Sequence, residues 1–254
     1  MKKLLDNVTS IAINAGDAIM SVYNSDDFNI ALKNDNSPLT RADIAANDVI
    51  IAALTKLTPD IPILSEESTK IAYAIRKSWT QFWLVDPLDG TKEFIKRNGE
   101  FTVNIALIEN GKPILGVVYA PVLNTIYFAA ELVGAFKKIT NEPIQAIEVL
   151  ERTRNEKLKV VASRSHAGPE LQAFLDTLGE FDVISMGSSL KLCLVAEGVA
   201  HLYPRLGPTM EWDTAAAHAV VKMAGGQVNN LDGEPLQYNK ENLLNPFFVV
   251  SAEV

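Results

Sequence analysis

Asp86 and Asp89 form a short acidic segment in which only a Pro-Leu dipeptide separates the two carboxylates. The segment directly follows the apolar residues 82–85, which predict a buried strand that stops at Pro87, since proline cannot continue the interior of a sheet. Mg²⁺ prefers carboxylate and carbonyl oxygens, and a tight turn can offer both side chains and the carbonyl of Leu88 to the same ions. The segment therefore predicts a divalent-metal site.

The residues that follow the acidic segment could contact a phosphate group. Gly90 and Thr91 lead into residues 92–95, which predict a short helix. Free backbone amides at the start of a helix attract phosphate. Metal-dependent phosphate chemistry is one interpretation of the whole segment. An ordinary Asx turn is the other, because Asp-Pro and Asp-Gly pairs are common in loops.

Three other places in the chain carry carboxylates that could join such a site. Glu66 and Glu67 end a short β-like run. Asp43 lies three residues after Thr40, and Asp213 lies in the first turn of a predicted helix. Each has a structural alternative: solvated glutamates, a capping-box carboxylate, and a carboxylate that complements the helix dipole. A multi-metal cluster is predicted only if the fold brings these places together.

The elements of the first half of the chain combine helices with antiparallel strands. Apolar residues at spacings of three and four predict amphipathic helices over 4–22 and 41–57. Segments rich in β-branched and aromatic residues predict hairpins, and Asn110-Gly111 is a strong turn signal. The predicted strands are 82–85, 101–109, 112–120, 125–130 and 134–138.

Beyond the polar stretch 141–157, predicted strands and helices alternate, which indicates an α/β half. The strands are 158–162, 183–186, 199–203 and 247–251, and the helices are 168–178, 188–197 and 212–224. We therefore expect residues 1–145 to form helices and an antiparallel sheet that carry the metal site. Residues 146–254 are expected to form a C-terminal α/β half of the same compact catalytic unit.

Composition and charge exclude several classes of function. The formal net charge of -8 is opposite to the basic footprint that binding of a nucleic-acid polymer needs. A small anionic substrate stays compatible, because bound divalent cations reverse the local charge. The single cysteine, Cys193, cannot form an intrachain disulfide and is predicted to be buried core. No apolar run predicts a signal peptide or a transmembrane segment, so a cytoplasmic protein is expected.

Four segments together resemble the signatures of the inositol monophosphatase superfamily of metal-dependent phosphatases. They are residues 40–43, 65–68, 86–91 and 211–217, and they occur in the order expected for that superfamily. Ser65 stands where the superfamily usually has glycine. The resemblance implies an α+β, or α/β, layered sandwich (αβαβα) of the inositol monophosphatase–fructose-1,6-bisphosphatase type.

The chain is similar over essentially its whole length to one branch, the CysQ-type 3'(2'),5'-bisphosphate nucleotidases. The segments that carry this narrower resemblance are 92–95, 98–107, 116–121, 163–166, 187–191 and 203–205. Ala217 departs from the branch, which usually has glycine there, and adds a methyl group to a helix near Asp213. We expect this change to be tolerated.

The resemblance also implies the metal ligands. Two Mg²⁺ ions would be held by Glu66, Asp86, the carbonyl of Leu88, Asp89 and Asp213. A third, weaker ion would lie near Glu66 and Asp43. Inhibition by Li⁺, which would compete at a Mg²⁺ position, is implied in the same way.

Catalytic and substrate contacts follow from the same resemblance. Thr91, paired with Asp43, would orient and activate the attacking water, with Glu66 as the third catalytic residue. The substrate would be contacted by Glu66, Leu88, Asp89, Gly90, Thr91, His166, Ser188, Lys191, Arg205 and Asp213. In this set the amides of Gly90 and Thr91 would hold the reacting phosphate, while His166, Ser188, Lys191 and Arg205 would contact the nucleoside and its other phosphate.

The implied function is Mg²⁺-dependent hydrolysis of the 3'-phosphate of adenosine 3',5'-bisphosphate to AMP and phosphate, as in sulfate assimilation. The same implication extends to 3'-phosphoadenylyl sulfate as a second substrate and to peripheral attachment at the cytoplasmic face of the inner membrane. A phosphatase for inositol or sugar phosphates is the first alternative, and a nucleotide- or Mg²⁺-sensing module without turnover is the second. Monomer and dimer are both compatible with the sequence.

Overall fold

The structure is a computed structural model, and it describes residues 1–25, 31–32, 38–68, 71–150, 156–162 and 168–252. Its helices are α1 (Lys2–Tyr23), α2 (Arg41–Leu57), α3 (Tyr73–Arg76), α4 (Thr91–Ile95), α5 (Pro169–Asp176), α6 (Leu190–Ala196) and α7 (Glu211–Met223), with a 3₁₀ turn at Glu66–Ser68. The strands of the first half are β1 (Ala31–Leu32), β2 (Pro38–Leu39), β3 (Ile63–Ser65), β4 (Gln81–Asp89), β5 (Thr102–Glu109), β6 (Lys112–Ala120), β7 (Thr125–Ala130), β8 (Gly134–Ile139) and β9 (Gln145–Ala146). Those of the second half are β10 (Leu158–Ala162), β11 (Phe181–Ser185), β12 (Leu202–Arg205), β13 (Gly226–Asn230) and β14 (Phe248–Ala252).

Five layers stack in the order helix, sheet, helix, sheet, helix. The first sheet has the order β3-β4-β5-β6-β7-β8-β9 and is antiparallel except for the pair β3–β4. The second sheet has the order β11-β10-β12-β14-β13 and is mixed. Helices α1 and α2 cover the outer face of the first sheet, α6 and α7 lie between the sheets, and α5 covers the outer face of the second. The αβαβα expectation is therefore confirmed.

Strand β4 shows why both faces of the first sheet are apolar. Successive side chains of a strand point to opposite faces. Phe82 and Leu84 lie in the core between the two sheets, whereas Trp83 and Val85 pack against α1 and α2. A continuous apolar run in the sequence thus indicates a central strand with helices on both sides.

The predicted end of this strand is wrong. Strand β4 passes through Pro87 to Asp89, and its pairing with β5 shifts register between Asp86 and Asp89. Asp86 lies opposite Asn104 and Asp89 opposite Thr102, so β4 has one residue more than β5 across this interval. This β-bulge interrupts the ladder where Pro87 has no N–H to donate.

The hairpins are predicted with their turns. Strands β5 and β6 are joined at Asn110-Gly111, and both residues have positive φ, at 48° and 75°. Such a turn matches the twist of the flanking strands. In the second half the predicted strand 199–203 is displaced, because β12 begins only at Leu202.

Close contact between α7 and the first sheet depends on Gly116 in β6. A Cβ atom at this position would lie 2.1 Å from the backbone oxygen of Ala216 and 2.7 Å from the Cβ of Ala219. We expect Gly116→Ala to lower the free energy of unfolding by about 3 kcal/mol, because the clash is with helix backbone. Denaturant unfolding measures the change. Gly207→Ala is the control, since its nearest contact would be Arg205 Cζ at 3.9 Å, and equal stability losses would contradict the expectation.

Candidate active site

The bulge at the end of β4 places Asp86 and Asp89 at the edge of a cavity. Asp86 is 1% exposed, and its Oδ1 accepts a hydrogen bond of 3.0 Å from the N–H of Leu88. Asp89 lines the cavity, and its Oδ2 accepts a bond of 2.5 Å from the N–H of Ser189. The bulge therefore separates a buried carboxylate from one that faces the cavity.

Asp43 links the start of α2 to Thr91. Its Oδ2 accepts hydrogen bonds from Thr40 N at 2.7 Å and from Thr40 Oγ1 at 2.6 Å, so the carboxylate belongs to the cap of α2. Its Oδ1 lies 3.4 Å from Thr91 Oγ1, and the same hydroxyl lies 3.4 Å from the carbonyl oxygen of Leu88. Asp43 therefore caps α2 through one carboxylate oxygen and contacts Thr91 through the other, so the capping interpretation and the Asp43–Thr91 pairing are both correct.

Glu66 is brought beside Asp86 by the parallel pairing of β3 with β4. Ser65 pairs with Val85, and the next residues are Glu66, which begins the 3₁₀ turn after β3, and Asp86 on β4. Ser65 Oγ also donates a 2.7 Å hydrogen bond to Asn47 Oδ1 of α2, which fixes the end of β3 against that helix. The register of a short strand therefore sets the position of Glu66.

Asp213 reaches the same region from the first turn of α7. Met210 N donates a 2.9 Å hydrogen bond to its Oδ2. Burial raises the pKa of Asp213 well above its ordinary value, and the negative charges of Asp89 and Glu66 raise it further. Neighbouring carboxylates each raise the free energy of the other's charged form, and a bound divalent cation stabilises both charged forms.

The oxygen atoms of these carboxylates are ligands of the type that Mg²⁺ prefers. Among the residues that the structure describes, no group of three or more His, Cys, Asp or Glu residues forms a ready-made metal site. Mg²⁺ is usually bound through one or two carboxylates, with water and substrate phosphate oxygens as its other ligands. The carbonyl of Leu88, close to Thr91, is a further oxygen of the right type.

Two cationic side chains line the same cavity as the carboxylates. The cavity has a volume of about 330 Å³ and is lined by Lys191 and Arg205 as well as by Asp89 and Asp213. Lys191 is 8% exposed, and burial lowers the pKa of its amine to about 8, against the opposing effect of Asp89. Arg205 donates to the carbonyl of Pro208 at 2.9 Å, while its buried Nε has no partner within the described part of the chain. Two cations therefore face the cavity beyond the carboxylates.

A buried polar network joins Ser188, which the sequence predicts as a substrate contact, to Thr102, Ser189 and Asn104, for which the sequence predicts no role. Thr102 Oγ1 lies 2.6 Å from Ser188 Oγ and 2.9 Å from Ser189 Oγ, and Ser189 Oγ lies 2.8 Å from Asn104 Oδ1. Ser188 has a φ of 52°, which is uncommon for a residue with a side chain. A signal was present, because Thr102 and Asn104 are polar at alternate positions of an otherwise apolar strand and so share one face.

The structure brings most of the predicted site residues to this cavity or its edge. Those lining one of its two adjoining parts are Asp89, Gly90, Thr91, Ser188, Lys191, Arg205 and Asp213. Three predicted residues do not line the cavity but lie next to residues that do. The bulge of β4 connects Asp86 to Asp89, a 3.4 Å contact connects Asp43 to Thr91, and the pairing of β3 with β4 positions Glu66. His166 lies outside the described residues.

Comparison with known proteins agrees with this geometry. The profile of the inositol monophosphatase family matches residues 1–247. The chain belongs to that family. The resemblance to the superfamily and the layered fold are thereby confirmed.

Individual relatives narrow the resemblance within the family. The 3'(2'),5'-bisphosphate nucleotidase CysQ of Escherichia coli O6:H1 is 56% identical over 250 residues, which cover 98% of this chain and 99% of that protein. The crystal structure of CysQ from Bacteroides thetaiotaomicron has a TM-score of 0.88 at 45% identity and covers 100% of this chain and 98% of the other. The structure of extragenic suppressor protein suhB from Bartonella henselae has a TM-score of 0.82 at 26% identity, covering 99% and 94%. The CysQ resemblance is confirmed.

Family membership fixes the general chemistry. The inositol monophosphatase family consists of metal-dependent phosphatases, for which Mg²⁺ is the typical ion. The carboxylates of Asp89 and Asp213 in the cavity suit that requirement. Among the described helices, none has both the length and the apolar character that crossing a membrane requires.

Proposed function

We propose that this chain is a 3'(2'),5'-bisphosphate nucleotidase that hydrolyses the 3'-phosphate of adenosine 3',5'-bisphosphate to AMP and phosphate. The observation that carries the proposal is the charge of the cavity lining, which combines Asp89 and Asp213 with the buried Lys191 and the half-buried Arg205. An inositol monophosphate has one phosphate, whereas this lining would serve both a metal-bound reacting phosphate, through its carboxylates, and a second anion, through Lys191 and Arg205. The relatives named CysQ support the same substrate.

The metal ions would be held by Glu66, Asp86, the Leu88 carbonyl, Asp89 and Asp213. When bound, two Mg²⁺ ions would neutralise the phosphate, lower the pKa of a water and stabilise the leaving oxygen. A third ion beside Glu66 and Asp43 is part of the same proposal.

The side chains and backbone amides of the protein would orient the attacking water and the phosphates, and would accept a proton from that water. The Thr91 hydroxyl, beside Asp43 Oδ1, would bind the attacking water and pass a proton toward the carboxylate. The amides of Gly90 and Thr91 would bind phosphate oxygens at the start of the turn. Lys191 and Arg205 would hold the second phosphate, and the Nε of Arg205, which has no partner among the described residues, is a donor suited to an anion.

Phosphate release with Mg²⁺ tests the proposal directly. We expect turnover of adenosine 3',5'-bisphosphate to exceed that of inositol 1-phosphate by at least about a hundredfold in kcat/KM, because a substrate without the second phosphate gives Lys191 and Arg205 no anion to bind. Equal or faster turnover of the inositol ester would favour the alternative phosphatase. Binding of the nucleotide with no phosphate release would favour a sensing module.

The pH dependence of kcat/KM tests the role of Lys191. Its pKa is lowered to about 8 by burial, so the amine is charged below pH 8 and neutral above it. We expect kcat/KM for adenosine 3',5'-bisphosphate to fall as the pH rises through about 8, because the second phosphate loses a cation. Adenosine 3'-monophosphate, which lacks that phosphate, should not share the fall.

Lys191→Arg is the matched variant for this experiment, since arginine stays charged throughout the range. It should remove the alkaline fall for the bisphosphate. An identical alkaline limb for both substrates in the wild-type enzyme would show that Lys191 does not bind the second phosphate.

A further inference from the structure

A second cavity lies near the opposite end of α7 from the candidate active site. Its volume is about 350 Å³, which is close to the volume of about 330 Å³ of the active-site cavity and large enough for a small ligand. Asp213 lines one cavity and Lys222 the other, and nine residues of helix place them roughly 14 Å apart along the helix axis. Of the described residues, none lines both cavities, so the second cavity is a separate place on the molecule.

The lining of the second cavity is positively charged, although the chain has a formal net charge of -8. Lys112, at the start of β6, and Lys222, in the last turn of α7, both line it, and no carboxylate does so among the described residues. Lys222 Nζ lies 4.0 Å from Glu131 Oε1, but the two side chains are 38% and 50% exposed. An ion pair that is so long and so exposed is weak, so it leaves Lys222 able to bind another anion.

A buried histidine provides the second polar feature of this cavity. His218 is 5% exposed, lines the cavity and lies four residues before Lys222, so the two side chains share one face of α7. Its Nδ1 lies 2.8 Å from the hydroxyl of Tyr238, whereas its Nε2 makes no hydrogen bond within the described part of the chain. A buried polar atom usually has a partner, and a ligand in the cavity would provide one.

The neutral state of His218 favours a phosphate group as that partner. Burial, and next the charge of Lys222, lower the pKa of the ring to about 3, so the ring is neutral near pH 7. A neutral ring presents either an N–H or a lone pair at Nε2, depending on its tautomer. A phosphate monoanion can bond to both, because its oxygens accept and its O–H donates. The choice of phosphate therefore does not depend on which tautomer is present.

The remaining part of the lining is apolar and includes Pro113, Pro235 and Leu236. A ligand that fills the cavity therefore needs an apolar part as well as a charged group. We propose that the second cavity binds a small organic phosphate, with the phosphate on the two lysines and His218 and the apolar part against the prolines and Leu236. The site is distinct from the candidate active site, and the inference does not rest on the proposed function.

Titration with phenylphosphonate, followed by the NMR signals of the histidine rings, tests the inference. This probe has a phosphate-like group and an apolar ring, and a phosphomonoesterase does not cleave its carbon–phosphorus bond. The chain has three histidines, so the signal of His218 is the one that disappears in His218→Gln. We expect the His218 signal of the wild-type protein to shift saturably with the probe. Benzyl alcohol, which has a similar ring and no charge, should leave that signal in place.

Removal of the two lysine charges should weaken this binding. In the double variant Lys112→Gln/Lys222→Gln we expect the Kd obtained from the His218 signal to rise at least about tenfold, the loss of two charged contacts of which one is exposed. The double variant Lys56→Gln/Lys138→Gln is the matched control. It changes the net charge by the same amount at two exposed positions outside the cavity, and it should keep the wild-type Kd.

A third variant separates direct binding from an effect of the active site. His218 is connected to the active-site cavity through Tyr238 and Thr214, at 2.8 Å and 3.4 Å, so a probe bound there could disturb its signal. Lys191→Gln removes a cation from that cavity and should leave the His218 titration unchanged. No saturable shift, an equal shift with benzyl alcohol, loss of the shift in Lys191→Gln, or an unchanged Kd in the Lys112/Lys222 variant would each overturn the inference. Lys112→Gln alone, at an exposed position that should not affect folding, should raise the Kd by about threefold.

Discussion

Replacement of Asp86 by asparagine is expected to abolish phosphate release while the protein stays folded. Asp86 is buried and would contribute oxygen to both proposed Mg²⁺ ions, so its charge is needed wherever the ions are needed. We expect kcat to fall by at least about a thousandfold, as for loss of a central electrostatic group in an enzyme. The amide oxygen of asparagine can still accept the bond that Asp86 Oδ1 accepts from Leu88 N, so the bulge should persist.

Phosphate release and thermal unfolding should be measured on the same preparation. Asp182→Asn is the control, because Asp182 lies on the edge strand β11, is 59% exposed in its side chain and pairs with Lys157 at 2.6 Å. That variant should keep wild-type kcat. Near-normal turnover by the Asp86 variant would show that the two-metal assignment is wrong, whereas loss of the folded state would show a structural role instead.

The sequence predicts the fold best where local pattern and tertiary packing agree. Helices α1 and α2 have apolar faces at helical spacing, and the hairpin of β5 and β6 has its own turn signal. Strand β13 was missed because it is a polar segment whose order comes from pairing with β14, about twenty residues further along the chain. The bulge that carries β4 through Pro87 was missed for a similar reason, because it exists only against β5.

The sequence predicted which residues belong to the site but not how the fold brings them together in space. Spacing identified Asp86 and Asp89, but only the β3–β4 register brings Glu66 beside them, and only the packing of α7 brings Asp213. The division of 1–145 from 146–254 stays a prediction. Side chains of both halves nevertheless share the core between the sheets, and the cavity uses residues from each.

Thr91 and Asp43 are expected to act as one catalytic unit. The two oxygens of Asp43 have different neighbours, with Oδ2 accepting both bonds of the Thr40 cap and Oδ1 facing Thr91 Oγ1. In Asp43→Asn the amide oxygen can keep the cap, and the amino group then faces Thr91 and cannot accept its proton. We expect kcat to fall by about a hundredfold to ten-thousandfold, with a loss of unfolding free energy below about 1 kcal/mol.

A double-mutant cycle separates one unit from two independent contributions. Thr91→Val removes the hydroxyl that Asp43 would act on, so the second substitution should cost little once the first is made. We expect kcat of the double variant to lie within about threefold of the slower single variant. Asp48→Asn, at an exposed position of the same helix α2, is the control and should leave kcat unchanged.

Multiplication of the two single effects would mean that the residues act separately, and the 3.4 Å contact would then carry no proton during turnover. Catalytic hydrogen bonds often shorten only when substrate is bound, so the length of this contact is compatible with the unit. The cycle is informative because Asp43 also has an unambiguous structural role. A residue that only capped α2 would lose stability and kcat together, whereas Asp43→Asn is expected to lose kcat with its cap intact.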